Sequence, residues 1–197
     1  MFTIVEPMGG SVYTPGAAIL AGGGAAAAPL PTLYDTFTDA NGTALTSHTM
    51  NNGSGWIAAT GTFTIQSNKA QSGGVAISRA NAGTATGTVS VTLTSTSPTT
   101  AGVIVRASGT GYQNCYLCAA NGTIVKFQAA SGSALNSGGA VASGTYLVEV
   151  VLSGNTIAVY RDGVQVGTAT NAFNNTATEY GLYSETSGDT FDNFQFN

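Results

Sequence analysis

Few residues in this chain have side chains suited to chemistry, and their spacing argues against most of it. The acidic residues are Glu6, Asp35, Asp39, Glu149, Asp162, Glu179, Glu185, Asp189 and Asp192. No two of them stand at i, i+2, the spacing that sets two carboxyls side by side on one face of a strand. Glu149 is alone on its strand, and Asp162 is used by a turn. His48 is the only histidine and lies in a polar loop with no Ser or Cys signature nearby, so a nucleophilic triad has no support. Cys115 and Cys118 are three apart on an expected strand, which puts them on opposite faces about 10 Å apart, too far for a disulfide. A redox pair would need a helix N-terminus and zinc would need two more ligands. Buried or half-buried thiols are the simpler expectation. We expect no catalytic residue, no metal and no cofactor.

A sugar site asks for an aromatic platform flanked by amides. Trp56 and Tyr112 are the candidates, with Gln113 and Asn114 adjacent to the latter. The competing expectation for Trp56, the only tryptophan, is that it fills the core next to Phe63.

These residues must be positioned by β structure. Tyr146–Val166 reads as three strands joined by two turns. Asp162-Gly163 marks a two-residue type I′ turn, because both central positions need φ > 0. That turn pairs Arg161 with Val164 and Val159 with Val166. The earlier turn is Ser153-Gly154 or Gly154-Asn155, and either leaves Val148, Val150, Leu152, Ile157 and Val159 on one apolar face. Strand patterns recur at 33–37, 62–66, 70–77, 88–94, 103–107, 112–120, 123–128, 179–184 and 190–196. Asn121-Gly122 marks another type I′ turn. About a dozen short strands, turns rich in Gly, Asn and Ser, and no credible helix indicate an all-β fold, a two-sheet antiparallel jelly-roll sandwich.

Composition limits the partners. Charged residues make up 7% of 197, against a usual figure of about 25%. The formal charge is −4, and the five basic residues Lys69, Arg79, Arg106, Lys126 and Arg161 are scattered. Nucleic acid and anionic membranes, which require clustered Lys and Arg, are therefore not expected partners. No apolar run reaches the roughly 18 residues of a membrane helix. The opening MFTIVEPMGG lacks the basic region and apolar run of a secretory signal, so the expectation is a protein made and kept in a cytoplasm until released by another route.

Residues 1–32 differ from everything after them. Four of the five prolines fall here, with Gly22-Gly23-Gly24 and the run Ala25 to Ala28. No period of 2 or 3.6 persists, and ordering such a backbone costs about 1–2 kcal/mol per residue. The segment is expected to be an extended arm that orders only by docking, through Phe2, Ile4, Val5, Val12, Tyr13, Ile19 and Leu20. It would pack either on another subunit or partner or on its own domain. The domain proper is expected to be 33–197.

With YDTFTDANGTAL, Trp56, GTFTIQSNKA, GVIVRASGTGYQNCYL, the LVEVVLSGNTIAVYRDGVQVG hairpins and the closing GLYSETSGDTFDNFQF, the chain from Leu33 onward resembles the concanavalin A-like lectin/glucanase domains. The nearest form is the laminin-G-like jelly rolls of bacterial secreted proteins and bacteriophage virion proteins. The resemblance implies that the first and last strands pair, here Tyr34–Phe37 with Phe191–Phe196. Glucanase members carry an acidic E-x-D-x-E strand, and this sequence has none. Many relatives bind calcium. Asp35, Asp39, Asp189, Asp192 and Asn193 would converge for that if the terminal strands pair, although Asp192-Asn193 also suits a simple break in a strand.

Joined to the arm and the missing signal, the resemblance implies a non-enzymatic virion component. It would be a homo-oligomeric capsid decoration or head-fibre protein, docked on capsid or tail proteins through its arm and located in the virion. The alternative it implies is a lectin-like tail fibre or adhesin module that recognises host glycans through Trp56, Tyr112 and Asn114.

Overall fold

The computed structural model describes residues 30–111 and 113–197. The expected anchor residues Phe2, Ile4, Val5, Val12, Tyr13, Ile19 and Leu20, and the platform candidate Tyr112, lie outside the described residues. Among those described, the strands run in order β1 (Leu33–Asp35), β2 (Ile57–Thr60), β3 (Phe63–Ile65), β4 (Ala70–Ser72), β5 (Ala76–Asn81), β6 (Gly87–Ser95), β7 (Ala101–Ser108) and β8 (Asn114–Ala119). They continue as β9 (Ile124–Gln128), β10 (Ser131–Asn136), β11 (Gly144–Ser153), β12 (Thr156–Arg161), β13 (Val164–Thr170), β14 (Glu179–Ser184) and β15 (Thr190–Phe196). One turn of 3-10 helix, Leu45–Ser47, interrupts the long loop after β1. Among the described residues no helix is long and apolar enough to cross a membrane.

The strands form two antiparallel sheets packed as a sandwich. One has eight strands in the order β13-β12-β11-β6-β15-β4-β3, with β1 also on β15, and the other has seven in the order β10-β9-β8-β7-β14-β5-β2. The terminal strands pair, though over Leu33–Asp35 instead of the expected Tyr34–Phe37: Leu33 with Phe196, Tyr34 with Gln195 and Asp35 with Phe194. Strand β4 takes Thr190 and Phe191 on the same edge of β15, and β6 pairs along the other edge. Asp192-Asn193 breaks the ladder: the register shifts between Asp192 and Gln195, and Asn193 takes φ +52°.

The β11–β12–β13 meander follows the expected parity, with Val148, Val150, Leu152, Ile157 and Val159 all buried. Ser153 pairs with Thr156, which selects Gly154-Asn155 as the first turn. At the second, Asp162 and Gly163 have φ of +51° and +79°, and Arg161 faces Val164. The next pairing differs from expectation. A bulge between Val159 and Tyr160 puts Val159 opposite Gly167 instead of Val166. The reason lies across the sandwich, where a Cβ on Gly167 would come 2.1 Å from the Gly122 carbonyl oxygen. Only glycine allows the two backbones to meet.

The turn at Gly122 also departs from expectation. Of Asn121 and Gly122 only the glycine has positive φ, +93°. The Gly122 N–H donates to the Ala119 carbonyl at 2.9 Å and the Ala119 N–H to the Thr123 carbonyl at 3.0 Å. This is a three-residue loop, a type I turn closed by a left-handed glycine, in place of a two-residue type I′ turn.

Between the sheets lies one continuous core that includes Leu33, Phe37, Trp56, Phe63, Val91, Leu93, Tyr116, Tyr180, Phe191, Phe194 and Phe196. Leu93 sits in mid-sheet, opposite Tyr146 on β11 and Phe191 on β15. Leu93→Ala should therefore lower stability by about 2–5 kcal/mol. Thr92→Ala, on the outward face one residue away, should change it by no more than about 0.5 kcal/mol. Urea unfolding of both variants is the measurement, and equal effects would contradict the observed parity.

Candidate functional site

His48 and two aspartates form a tight cluster of acid and base, and the structure turns it inward. The loop after β1 returns so that His48 Nε2 lies 2.9 Å from Asp35 Oδ1 and Nδ1 lies 3.2 Å from Asp39 Oδ2. Trp56 Nε1 donates to Asp35 Oδ2 at 2.7 Å, and the Phe37 N–H donates to Asp35 Oδ1 at 2.7 Å. Asp35 is fully buried and His48 is 6% exposed. Burial disfavours the charged imidazole, but the hydrogen bonds and charges of Asp35 and Asp39 outweigh it and raise the His48 pKa. The Asp39 carboxyl is held below its ordinary range, first by the Ala40 N–H and then by His48. The two carboxylates flank one imidazole ring, and Asp35 is closed to solvent. The cluster ties the 36–56 loop to the terminal strand and presents no carboxylate pair to a substrate. The sequence showed His48 only as a loop residue, because the partner that gives it meaning is 13 positions away.

Trp56 belongs to the same knot. It is 4% exposed, stacks on Phe37 at 5.8 Å between ring centroids and tilts against Phe194 at 5.0 Å. The expected neighbour Phe63 instead meets Phe191 edge-on at 5.6 Å. Since both its ring and its N–H are used internally, Trp56 has no face left for a sugar.

Four other acidic groups are held singly and at separate places. Glu179 is ion-paired with Arg79 at 2.8 Å, Glu185 accepts from the Tyr183 hydroxyl, and Asp162 Oδ1 accepts from the Leu147 N–H at 2.9 Å. Asp189 is 1% exposed, and its Oδ2 lies 2.6 Å from Ser184 Oγ. Asp35 and Asp39 thus have different partners from Asp189. Among the described residues no three of His, Cys, Asp and Glu gather as metal ligands. Cys115 and Cys118 are both buried, on opposite faces of β8. Burial pushes the Cys115 thiol up to about 12, against a smaller opposing effect of Arg79, and raises Cys118 further. Neither is a reactive thiolate.

Amides gather at the other expected place, the end of the sandwich where β7 passes to β8. Asn114 opens β8 opposite Ser108 and Gln128. Its Oδ1 accepts weakly from the Ala129 N–H at 3.4 Å, and its backbone carbonyl accepts from Asn174 Nδ2 at 3.3 Å. After β7 the Gly109 carbonyl accepts from Arg79 Nη2 at 2.9 Å, and Gln113 packs against Gly109. Beside it, Lys126 Nζ lies 3.3 Å from Gln128 Oε1 and 5.6 Å from the centre of the Phe173 ring. Asn114, Gln113, Gln128 and Lys126 thus form a polar rim next to a half-buried aromatic.

No family model matches this chain, and no curated protein matches it. Solved structures do. The carbohydrate binding module CBM66 from Bacillus subtilis aligns with a TM-score of 0.58 and 20% identity, covering 75% of this chain and 98% of its own. A sialidase aligns at 0.49 and 13% identity over 85% of this chain but only 18% of its own length. LamAcat from Zobellia galactanivorans aligns at 0.46 and 11%, covering 84% and 95%. At this distance the likeness to the binding module is one of fold, and function must come from the site.

The His48 cluster makes stability depend on pH. Because the folded pKa is raised, the contribution is complete below the unfolded value of 6.5 and is lost as pH rises through the folded value. Asp39 works the other way: its share is present above 3.8 and is lost as pH falls through its lowered value. Urea unfolding followed by Trp56 emission should show the margin of the parent over His48→Gln largest just below pH 6.5 and shrinking as pH rises above it. A margin that grows above pH 6.5 would rule out a charged imidazolium between the two carboxylates.

Proposed function

We propose that this domain is a non-catalytic glycan-binding module that holds a neutral sugar at the rim formed by Gln113, Asn114, Gln128 and Lys126. The observation that carries the reading is this concentration of amide donors and acceptors beside Phe173. Amides suit a sugar because each presents a donor and an acceptor to vicinal hydroxyls, and a neighbouring ring covers the apolar C–H face. The likeness of fold to a carbohydrate binding module is consistent with it. A glycosidase reading would need two accessible carboxyl groups about 5–9.5 Å apart. Asp35 and Asp39 are joined through His48, and the first of them is fully buried. Of the three sequence-expected contacts Asn114 remains part of the proposal, Trp56 is replaced by Gln128 and Lys126, and Tyr112 lies outside the described residues.

The virion-docking reading rests on the arm of residues 1–32, of which 1–29 lie outside the described residues, and nothing among the described residues supports it. Calorimetric titration with a panel of neutral oligosaccharides separates the readings. Binding should be saturable, and Asn114→Ala should weaken it by about 2- to 10-fold, the worth of one hydrogen bond, without moving the thermal midpoint. No heat with any neutral glycan at millimolar concentration would sink the proposal.

A further inference from the structure

A sheet edge is a row of unpaired backbone N–H and C=O groups, and proteins ordinarily blunt it with charge, proline, a bulge or shortness. Most edges of this sandwich are blunted in that way. Strands β1 and β3 are three residues each, and β2 is four residues with a register shift between Ala58 and Thr60. Strand β13 is closed near its middle, where Gly167 lies against the Gly122 carbonyl of the β8–β9 turn.

Strand β10 lacks these devices over its first four residues. It is the last strand of the seven-stranded sheet, and among the described strands it pairs only with β9. Ser131, Gly132, Ser133 and Ala134 are all exposed. No charged residue and no proline falls anywhere from Phe127 to Val148. The register is regular from Ser131 to Ala134 and shifts only between Ala134 and Asn136. The hairpin fixes which groups face outward. Ala129 and Ala130, with φ of +50° and +64°, make a two-residue turn that pairs Gln128 with Ser131. In such a hairpin the pair next to the turn is hydrogen-bonded, and bonded and non-bonded pairs alternate from there. Gly132 and Ala134, opposite Phe127 and Val125, therefore aim their N–H and C=O at the open side.

We propose that β10 pairs antiparallel with β10 of a second copy of this chain about a two-fold axis at Ser133, joining the two seven-stranded sheets edge to edge. Gly132 of each copy then faces Ala134 of the other, and each such pair exchanges both of its N–H···O bonds. Ser133 faces its own copy in the non-bonded pair between them, with Cα atoms about 4.5 Å apart. Charge favours a second copy at this place. The chain carries a net −4, so two copies repel wherever their acidic surfaces meet, and an uncharged strand is where they can approach. The nearest charge, Lys126 on β9, is one strand further in and turned to Gln128 and Phe173. Three strand spacings, about 14 Å, separate it from its counterpart, which is more than a Debye length at physiological salt. The seam side chains are glycine, alanine and serine, small enough for the strands to reach normal sheet spacing. A two-fold contact uses the same edge on both copies and leaves none free, so assembly stops at the dimer. The shift at Leu135 limits pairing to a few residues, and a contact of that size dissociates in the range of about 1–100 µM.

The test is sedimentation of the full-length chain from about 1 to 300 µM, a range that brackets the expected dissociation constant. A reversible monomer–dimer equilibrium is expected. Ser133→Lys sets two ammonium groups directly opposite each other and should weaken the dimer about fivefold or more, with the thermal midpoint of the dilute monomer unchanged. Ser133→Cys should form an interchain disulfide under mild oxidation, because the paired Cα separation falls within the usual span of about 4.4–6.8 Å. The native Cys115 and Cys118 are buried and stay silent in this assay. Thr168→Cys, exposed on the β13 edge, should not crosslink. A monomer throughout the range, a dimer indifferent to Ser133→Lys, or crosslinking through Thr168→Cys equal to that through Ser133→Cys would overturn the proposal. If Ser133→Lys does not fold, the two cysteine variants decide.

Discussion

The terminal strand holds this sandwich closed. Strand β15 is bordered by β6 on one edge and shared between β4 and β1 on the other, so the two ends of the described chain lock each other in mid-sheet. Phe191, Phe194 and Phe196 are all fully buried, although the first two are three residues apart and would point to opposite faces of a regular strand. The bulge at Asn193 adds the extra residue that returns Phe194 to the core side. Each ring then meets a different part of the molecule: Phe191 meets Phe63, Phe194 meets Trp56, and Phe196 stacks on Tyr180 of the opposite sheet at 4.3 Å. The loop knot of Asp35, His48 and Trp56 depends on this arrangement, because Asp35 is placed by its pairing with Phe194.

A second bulge does similar work in the other sheet. Strand β7 shifts register around Arg106, which has φ +51° and is fully buried. Its side chain donates to the Gly154 carbonyl at 2.6 Å and to the Ala85 carbonyl at 3.3 Å, one in the β11–β12 turn and the other in the loop before β6. An arginine in an apolar strand thereby ties the seven-stranded sheet to turns of the eight-stranded one.

What the sequence revealed was what local rules determine. Period-2 alternation in 88–94 and 146–152 gave the core face of the eight-stranded sheet, and Asp162-Gly163 gave its turn. The closure of first on last strand came from the resemblance. What stayed hidden depends on contacts distant in sequence. The Val159 register is set by the approach of Gly167 to Gly122 across the sandwich, and His48 acquires its role from Asp35 and Asp39 only once the loop has closed. The apolar runs of 103–107 and 115–120 did carry a signal that both faces of their sheet are covered, but a one-sided sandwich strand and a two-sided one differ there by only a few residues.

The distribution of charge bears on which surface can receive a ligand. The chain has five basic and nine acidic residues, and Asp35, Arg79, Arg106 and Asp189 among them are buried. Little charge is left to steer an ionic partner, which suits the neutral, hydroxyl-rich ligand proposed above. The outer face of the seven-stranded sheet is broad, but its centre is Ile, Leu and Cys, and sugar hydroxyls placed there would lose water without gaining partners. The amide rim where β7 passes to β8 offers those partners and stays partly exposed.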